Sequence, residues 1–443
     1  MTKSLDIARR VIEIVGDRAE AETVATVGRL ALTRFANSFI HQNVSEDSVG
    51  IWLRVAADGR VAALQGNRFD DDSLRRLVDG ALEAAALQPR DEEWPGVAAR
   101  ASIPKVRHVD KATKDVAPEL RASLVKDFID AGEGLSGAGY CDSMFQEQSF
   151  VNTSGQEATG EDTRATIDGI HQTGKSAGSA HQTSIAIGEI DGGAAGRLAA
   201  DRARRGLDAF DLKPGEYEVV LAPECIATIA IFLSFYGFSG KAVNEGQSFV
   251  DLGTQQFDEQ IDLTDDPLSP GALGVPFDTE GTPKRRLDLV ARGVTSGIAH
   301  DRRSAKKAGA ESTGHGNPQS AVWGPVAADL VVRDGDESVE DMIAAVDRGL
   351  YVATFNYCRI LDPKTTVVTG LTRNGTFMIE NGKITGAVTN MRFTQSFVGA
   401  LGSGNVLALG DDSRFADSEF GAGFVRAPSV RLAAWNFTGG AEG

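Results

Sequence analysis

A chain of 443 residues, 42% hydrophobic and 24% charged, has the apolar content for two ordinary cores, which excludes disordered and fibrous classes. Its net charge of -17 opposes a phosphate backbone, so nucleic acid is not an expected partner. Three widely spaced cysteines, Cys141, Cys225 and Cys358, support neither a disulfide framework nor a thiolate zinc site, and no run approaches the roughly 20 apolar residues of a membrane span.

The expected setting is therefore a reducing cytoplasm, away from membranes. Ser4 is expected to cap a first helix with Leu5, Ala8, Val11, Ile12 and Val15 at helical spacing, ending near Gly16. Alternating stretches at 21–27, 30–35, 49–55 and 60–64 read as antiparallel strands, with Asp58-Gly59 as a hairpin turn. A second helix starts near Asp71 and carries the stripe Leu74, Leu77, Val78, Ala81, Leu82 and Ala85, stopping before Pro89. Residues 89–115 read as an irregular connection. A third helix opens on Pro118 and buries Leu120, Leu124, Phe128 and Ile129.

From 138 to 187 the chain is strand-like and half-polar, a pattern that predicts one face in water. The triplet His-Gln-Thr occurs at His171 and again at His181, but Gln and Thr are poor zinc neighbours and no carboxylate lies at local ligand spacing. A helix over 194–207 precedes Asp211-Leu212-Lys213-Pro214-Gly215, which reads as a boundary. The predicted fold class is α+β in two domains: residues 1–210 with helices on an antiparallel sheet, and residues 211–443 rich in strands. The second domain opens with a strand over 217–221 and a helix with Pro223 in its first turn, burying Ile226, Ile229, Ala230 and Leu233. A further helix is expected near 339–348, and short strands run on to Phe437.

One stretch stands out. It reads Pro276-Phe277-Asp278-Thr279-Glu280-Gly281-Thr282-Pro283, continues through His300-Asp301-Arg302, and closes on Ser312-Thr313-Gly314-His315-Gly316-Asn317-Pro318, with turn chemistry at both ends. With Gly349-Leu350-Tyr351-Val352, Asp362-Pro363, Thr369-Gly370 and the run 375–383, this series resembles the C-terminal domain of the TldD/PmbA family. Leu30 to Ala63, with Arg34-Phe35-Ala36-Asn37 and Leu53-Arg54, is similar to that family's N-terminal hairpin region. The resemblance spans most of the chain and implies a C-terminal domain of the TldD/PmbA type. It also implies paired subunits of a zinc peptidase, one bearing the metal and the other not. Residues 355–359 and 366–373 depart from the commoner family pattern and mark a divergent branch.

A zinc peptidase of this kind needs two histidines and a glutamate on one helix, written HExxH or HExxxH. The six histidines, at 41, 108, 171, 181, 300 and 315, are none of them followed by Glu. By the resemblance, the ligand positions fall near Ile231, Phe232 and Tyr236, which cannot bind zinc as His and Glu would. The implied type is TldE/PmbA: no catalytic residue and no metal on this chain, zinc on a TldD-like partner, and a heterodimer, or a homodimer, acting on unfolded or modified peptides. Two alternatives stay open: a non-catalytic peptide-binding scaffold homodimer, and a family member recruited to natural-product biosynthesis.

Gly314, His315, Gly316 and Asn317 are the candidate wall of a peptide cleft, because glycine lets a ligand approach the backbone; a structural loop is the alternative. His300-Asp301 with Ser312 and His315 does not read as a nucleophilic triad, since Ser312 lacks a GxSxG elbow. Cys358, set among Phe355, Tyr357 and Ile360, reads as a core residue. Asp278 and Glu280 are expected to fix a turn or to pair with Arg285 or Arg286, and Glu380-Asn381-Gly382-Lys383 to form a hairpin turn.

Overall fold

The computed structural model describes residues 2–419 and 425–440. Helix α1 (Lys3–Val15) buries Ile7, Ala8, Val11 and Val15. Its N-cap is Thr2 rather than Ser4, whose hydroxyl is buried inside the first turn, 2.7 Å from the Ser149 hydroxyl. Strands β1 (Glu20–Ala36), β2 (Phe39–Ala57) and β3 (Arg60–Gly66) follow, longer than the alternation alone indicates. Asp58 and Gly59 take φ of 49° and 74°, both left-handed, as a tight hairpin between β2 and β3 requires. Helix α2 (Asp71–Ala86) is capped by the Asp70 carboxylate, which accepts from the Ser73 amide at 3.0 Å.

The irregular connection contains one short helix, α3 (Lys111–Lys114), capped by Asp110. Helix α4 (Pro118–Asp130) has Pro at its N-terminus, and Leu120, expected inside, is exposed while Arg121 is buried. Strands β4 (Ser136–Asn152), β5 (Glu157–Gln172) and β6 (Ala177–Ser184) complete an antiparallel six-stranded sheet of order β3-β2-β1-β4-β5-β6, and α5 (Gly192–Arg205) returns over it.

Register assigns the two faces of this sheet. Odd-numbered residues of β1, β4 and β5, such as Ala21, Ala25, Phe35, Cys141 and Ile167, pack under α1, α2, α4 and α5. The even-numbered face, expected in water, is instead largely covered by the C-terminal half. Val24, Trp52, Phe150 and Ala158 make a core with Val275 and Phe277, and Glu22 is fully buried beside them. The polar character of this face reflects buried ion pairs as well as solvent.

The remaining strands all come from Gly215 onward. Strand β7 (Gly215–Leu221) leads into α6 (Pro223–Tyr236), then α7 (Gly240–Asn244), β8 (Leu263–Asp265), β9 (Leu287–Ala291), β10 (Val294–Thr295), α8 (Arg302–Ala308) and β11 (Leu330–Val332). The expected helix near 339–348 covers Val339–Ala344 only, because Arg348 already begins β12 (Arg348–Asp362). Strands β13 (Val367–Glu380) and β14 (Lys383–Ala387) form the predicted hairpin, with Asn381 and Gly382 at φ of 49° and 73°. Strands β15 (Met391–Ser396), β16 (Val406–Leu409), β17 (Arg414–Ala416), β18 (Val425–Ala427) and β19 (Val430–Gly440) end the chain.

They build two sheets. One has the order β10-β9-β8-β11-β18-β17; the other runs β12-β7-β19-β15-β13-β14, and a further β12–β13 pairing closes its first five strands into a barrel. Helix α6 packs against strands of both, and its residues are apolar nearly all round, as a central buried helix must be. The fold is α+β, helices on one antiparallel sheet followed by a β-rich C-terminal half.

Candidate functional site

Helix α6 is the element on which the family resemblance places zinc ligands. Pro223 fits its first turn, where no amide hydrogen is needed, and the turn that follows β7 points the helix into the core. Phe232 is buried against Phe397, while Ile231 and Tyr236 are partly buried on its flank. The remaining polar chemistry on α6 is Glu224 and Cys225 near the N-terminus, with Thr228 one turn on. The Cys225 thiol is pushed well above its ordinary range by burial, so it stays protonated. No histidine faces out of this helix and its one carboxylate is taken by an arginine: Glu224 Oε1 accepts from Arg414 Nη2 at 2.7 Å. Residues of this kind do not fit a catalytic zinc.

Facing the N-terminal end of α6 is a polar row built by strand register. Tyr140 on β4 lies opposite Asp168 on β5, which lies opposite His181 on β6. The neighbouring row is Asp142, Thr166 and Thr183, on the same face two residues along each strand. His181 Nδ1 sits 3.1 Å from Asp168 Oδ2, its Nε2 2.9 Å from Thr183 Oγ1, and Thr183 Oγ1 is 3.0 Å from Thr166 Oγ1. From the C-terminal half, Asp417, just after β17, brings a third group, so that one ligand atom each of Asp168, His181 and Asp417 lie within 4.8 Å of one another.

The electrostatics follow from crowding. Burial works to lower the His181 pKa, and the Asp168 hydrogen bond with the Asp417 and Glu224 charges outweighs it, leaving the imidazole raised. Asp417 is raised, chiefly by burial. Tyr140 is pushed up to about 12 by burial and by the carboxylates around it. Glu224 is held below the usual range, because Arg414 and Arg202 overcome the burial that would raise it. This cluster can bind a cation or hold a proton.

The sequence-predicted cleft residues lie elsewhere. His315 is buried, with Nε2 2.9 Å from Asp265 Oδ2 and Nδ1 2.7 Å from Thr313 Oγ1, so both ring nitrogens are engaged. The Gly316 amide donates to Asp278 Oδ2 at 2.8 Å, and Asn317 Nδ2 donates to the Gly324 carbonyl at 2.9 Å. Gly314 has φ of 81°, and a Cβ there would stand 2.7 Å from the Pro283 carbonyl oxygen. The close approach this glycine allows is to the chain's own backbone, and the loop locks the two turn-rich ends of the signature stretch together.

Nor do His300, Asp301, Ser312 and His315 form a triad. His300 Nδ1 contacts Ser304 Oγ at 3.1 Å, Asp301 Oδ1 caps α8 by accepting from the Ser304 amide at 2.7 Å, and Ser312 Oγ donates to the His300 carbonyl at 3.1 Å. Asp278 does fix a turn, accepting from the Glu280 and Thr282 amides at 3.0 Å and 2.8 Å. Glu280 pairs with neither Arg285 nor Arg286. It accepts from Arg54 Nη2 and from the Arg302 amide, both at 2.8 Å, because it reaches across to the N-terminal sheet. Cys358 is buried and its thiol pushed up by burial, as a core residue should be.

The two His-Gln-Thr triplets part company. His171 lies opposite Gly178, on the helix-covered face, stacked on Phe128 with ring centroids 4.8 Å apart; His181 lies on the other face. The carboxylate missing from the local sequence is supplied across the hairpin by Asp168, a partner that hairpin register predicts and residue spacing does not. Asp417, far along the chain, carries no such signal.

Comparison with known proteins gives the fold its relatives. Residues 214–439 match the PmbA/TldA metallopeptidase C-terminal domain and residues 21–85 match PmbA/TldA metallopeptidase domain 1. Metalloprotease PmbA of Escherichia coli O157:H7 is 23% identical over 94% of this chain and 92% of its own length. The Metalloprotease TldD homolog of Buchnera aphidicola is 24% identical, over 42% of this chain and 39% of its own. The crystal structure of TldE from Thermococcus kodakarensis superposes with a TM-score of 0.86 at 18% identity, covering 98% of this chain and 99% of that one. With more than half of its length matched by the C-terminal domain alone, this chain belongs to the PmbA/TldD metallopeptidase family.

Proposed function

We propose that this chain is the TldE/PmbA-type subunit of a metallopeptidase, pairing with a TldD-like subunit that carries the zinc and hydrolysing unfolded or modified peptides. The observation that carries the reading is α6: a helix in the family fold whose ligand region offers Ile231, Phe232 and Tyr236 in place of a His-Glu set. A subunit of this kind contributes by completing the cleft, orienting the peptide and stabilising its partner. The cytoplasm is the compartment proposed, in keeping with three cysteines that are all free and buried. No helix among the described residues is long and apolar enough to cross a membrane.

The test is co-expression with a TldD-like protein bearing HExxxH. The expected result is a complex that co-elutes and cuts an unfolded peptide in a chelator-sensitive way, with cutting abolished when the partner's motif Glu is replaced and the complex kept intact. A partner fully active without this chain, or no association at micromolar concentration, overturns the reading and favours the homodimeric scaffold.

A further inference from the structure

We propose that Asp168, His181 and Asp417 form a binding site for one divalent cation that clamps the β5–β6 hairpin to the segment after β17. The proposal goes beyond the subunit reading and is independent of it. It narrows the expectation of a chain with no metal of its own to helix α6.

Three observations carry it. The first is geometry: bonds of about 2.1 Å to imidazole nitrogen and carboxylate oxygen place ligand atoms about 3 to 4 Å apart. The Nδ1–Oδ2 separation is already 3.1 Å, and the whole trio lies within 4.8 Å, a side-chain adjustment away. The second is the outer contact of the histidine. Thr183 Oγ1, 2.9 Å from Nε2 and 3.0 Å from Thr166 Oγ1, can accept the Nε2 proton while donating its own to Thr166, so that a cation displacing the proton Nδ1 shares with Asp168 would meet the Nδ1 lone pair beside the two carboxylates.

The third observation is the state of the surrounding acids. Asp142 and Glu224 are 8% and 6% exposed, both act on the His181 charge, and the Asp142 Oδ1 and Glu224 Oε2 atoms have no hydrogen-bond partner. A buried carboxylate oxygen without a partner is costly, and a cation held between Asp168 and Asp417 would relieve both. The arginines nearby are otherwise engaged: Arg414 with Glu224, Arg202 with the Ser179 carbonyl, and Arg164 4.0 Å from Asp142. Among the described residues, His181 is the side-chain hydrogen-bond partner of Asp168, and no side chain hydrogen-bonds Asp417.

One nitrogen and two carboxylates, with no thiolate, suit the borderline divalent cations Mn2+, Fe2+, Co2+ and Zn2+. The experiment uses the full chain alone, dialysed against chelator, titrated with Mn2+ and followed by loss of the free-ion EPR signal, with Zn2+ in competition. The expected result is one saturable equivalent, weakened roughly tenfold or more by Asp417→Asn and by His181→Gln, and less by Thr183→Val. Metal should raise the melting temperature of the parent chain and leave that of Asp417→Asn unmoved. Circular dichroism verifies that each variant is folded, and Asp417→Asn, nearly isosteric, covers the case in which His181→Gln is not. Absence of saturable binding up to about 1 mM of either metal, or equal binding by folded Asp417→Asn, overturns the site.

Discussion

The even-numbered face of the N-terminal sheet meets the C-terminal half at two ends, and both ends are ionic. At one end, Arg54 pairs with Glu22 and Glu280 while its guanidinium lies 4.9 Å and 5.2 Å from the Trp94 and Trp52 rings; the two carboxylates are 0% and 2% exposed. At the other end, His181 pairs with an Asp168 that is 32% exposed. The charges are alike and the surroundings are not. In the dry end the guanidinium and the two carboxylates are held against one another out of water, so the network fixes how the two halves dock; in the half-open end water and ligands compete for the same atoms, so the groups stay available. A polar pattern in a strand therefore marks either a solvated face or a buried junction.

The largest way to break this contrast is Arg54→Met. It leaves Glu22 and Glu280 buried together without a counter-charge, and the expected loss is about 3–5 kcal/mol in denaturant unfolding. Replacing Glu22, Arg54 and Glu280 together by apolar residues should recover most of that loss. A single Arg54→Met variant as stable as the parent would mean that the dry end does not hold the halves together.

Next in size is pH. Burial pushes Glu22 up to about 7 against the pull of Arg54, and burial with the adjoining Glu280 charge pushes Asp278 up to about 8. Both groups keep their proton in the folded state at a pH where the unfolded chain has lost it. Their contribution is complete below the ordinary carboxylate range and is lost as pH rises through about 7 to 8. The melting temperature should therefore fall as pH rises from the ordinary carboxylate range to about 7 to 8 and level off above it, and Glu22→Gln with Asp278→Asn should flatten the fall. An unchanged slope in the double variant would assign it to other groups.

A glycine pair gives the third comparison. Gly314 (φ of 81°) has the Pro283 carbonyl 2.7 Å from a would-be Cβ, whereas Gly174 (φ of 88°), in the β5–β6 turn, has open space. Gly174→Ala should cost only the left-handed penalty of about 1 kcal/mol, and Gly314→Ala about 2–3 kcal/mol because backbone must also move. Equal losses would show that the signature loop is looser than its hydrogen bonds indicate.

Much of this architecture was legible in the sequence. The α2 and α4 stripes, the Asp58-Gly59 and Asn381-Gly382 turns, and the Pro223 helix all obey local rules of periodicity and turn chemistry. The lack of a His-Glu pair on α6 was equally plain. What local rules could not supply was partner choice between distant segments. Glu280 reaching Arg54 instead of Arg286, His315 meeting Asp265, and Asp417 meeting His181 depend on the docking of two halves, which no spacing along one strand encodes. Buried polar residues read from sequence as exposed ones, since burial is a property of the far side of the contact.

The smallest expected effect tests the open end. Asp168→Asn removes a charge that has one ionic partner and substantial contact with water, and it keeps the side chain's shape. A pair whose carboxylate is partly exposed gains less than a buried one, because solvent screens the carboxylate and the imidazole can give up its charge when Asp168 is lost, so the metal-free chain should lose less than about 1 kcal/mol. The adjacent positions make the measurement clean: Tyr140 lies across the strand pair without charge, and His181 retains Thr183 as a hydrogen-bond partner when the carboxylate becomes an amide. Urea unfolding of chelator-treated protein gives the number directly. A loss comparable to that of Arg54→Met would place both ends in one class, and the half-open row would then be a structural junction like its buried counterpart.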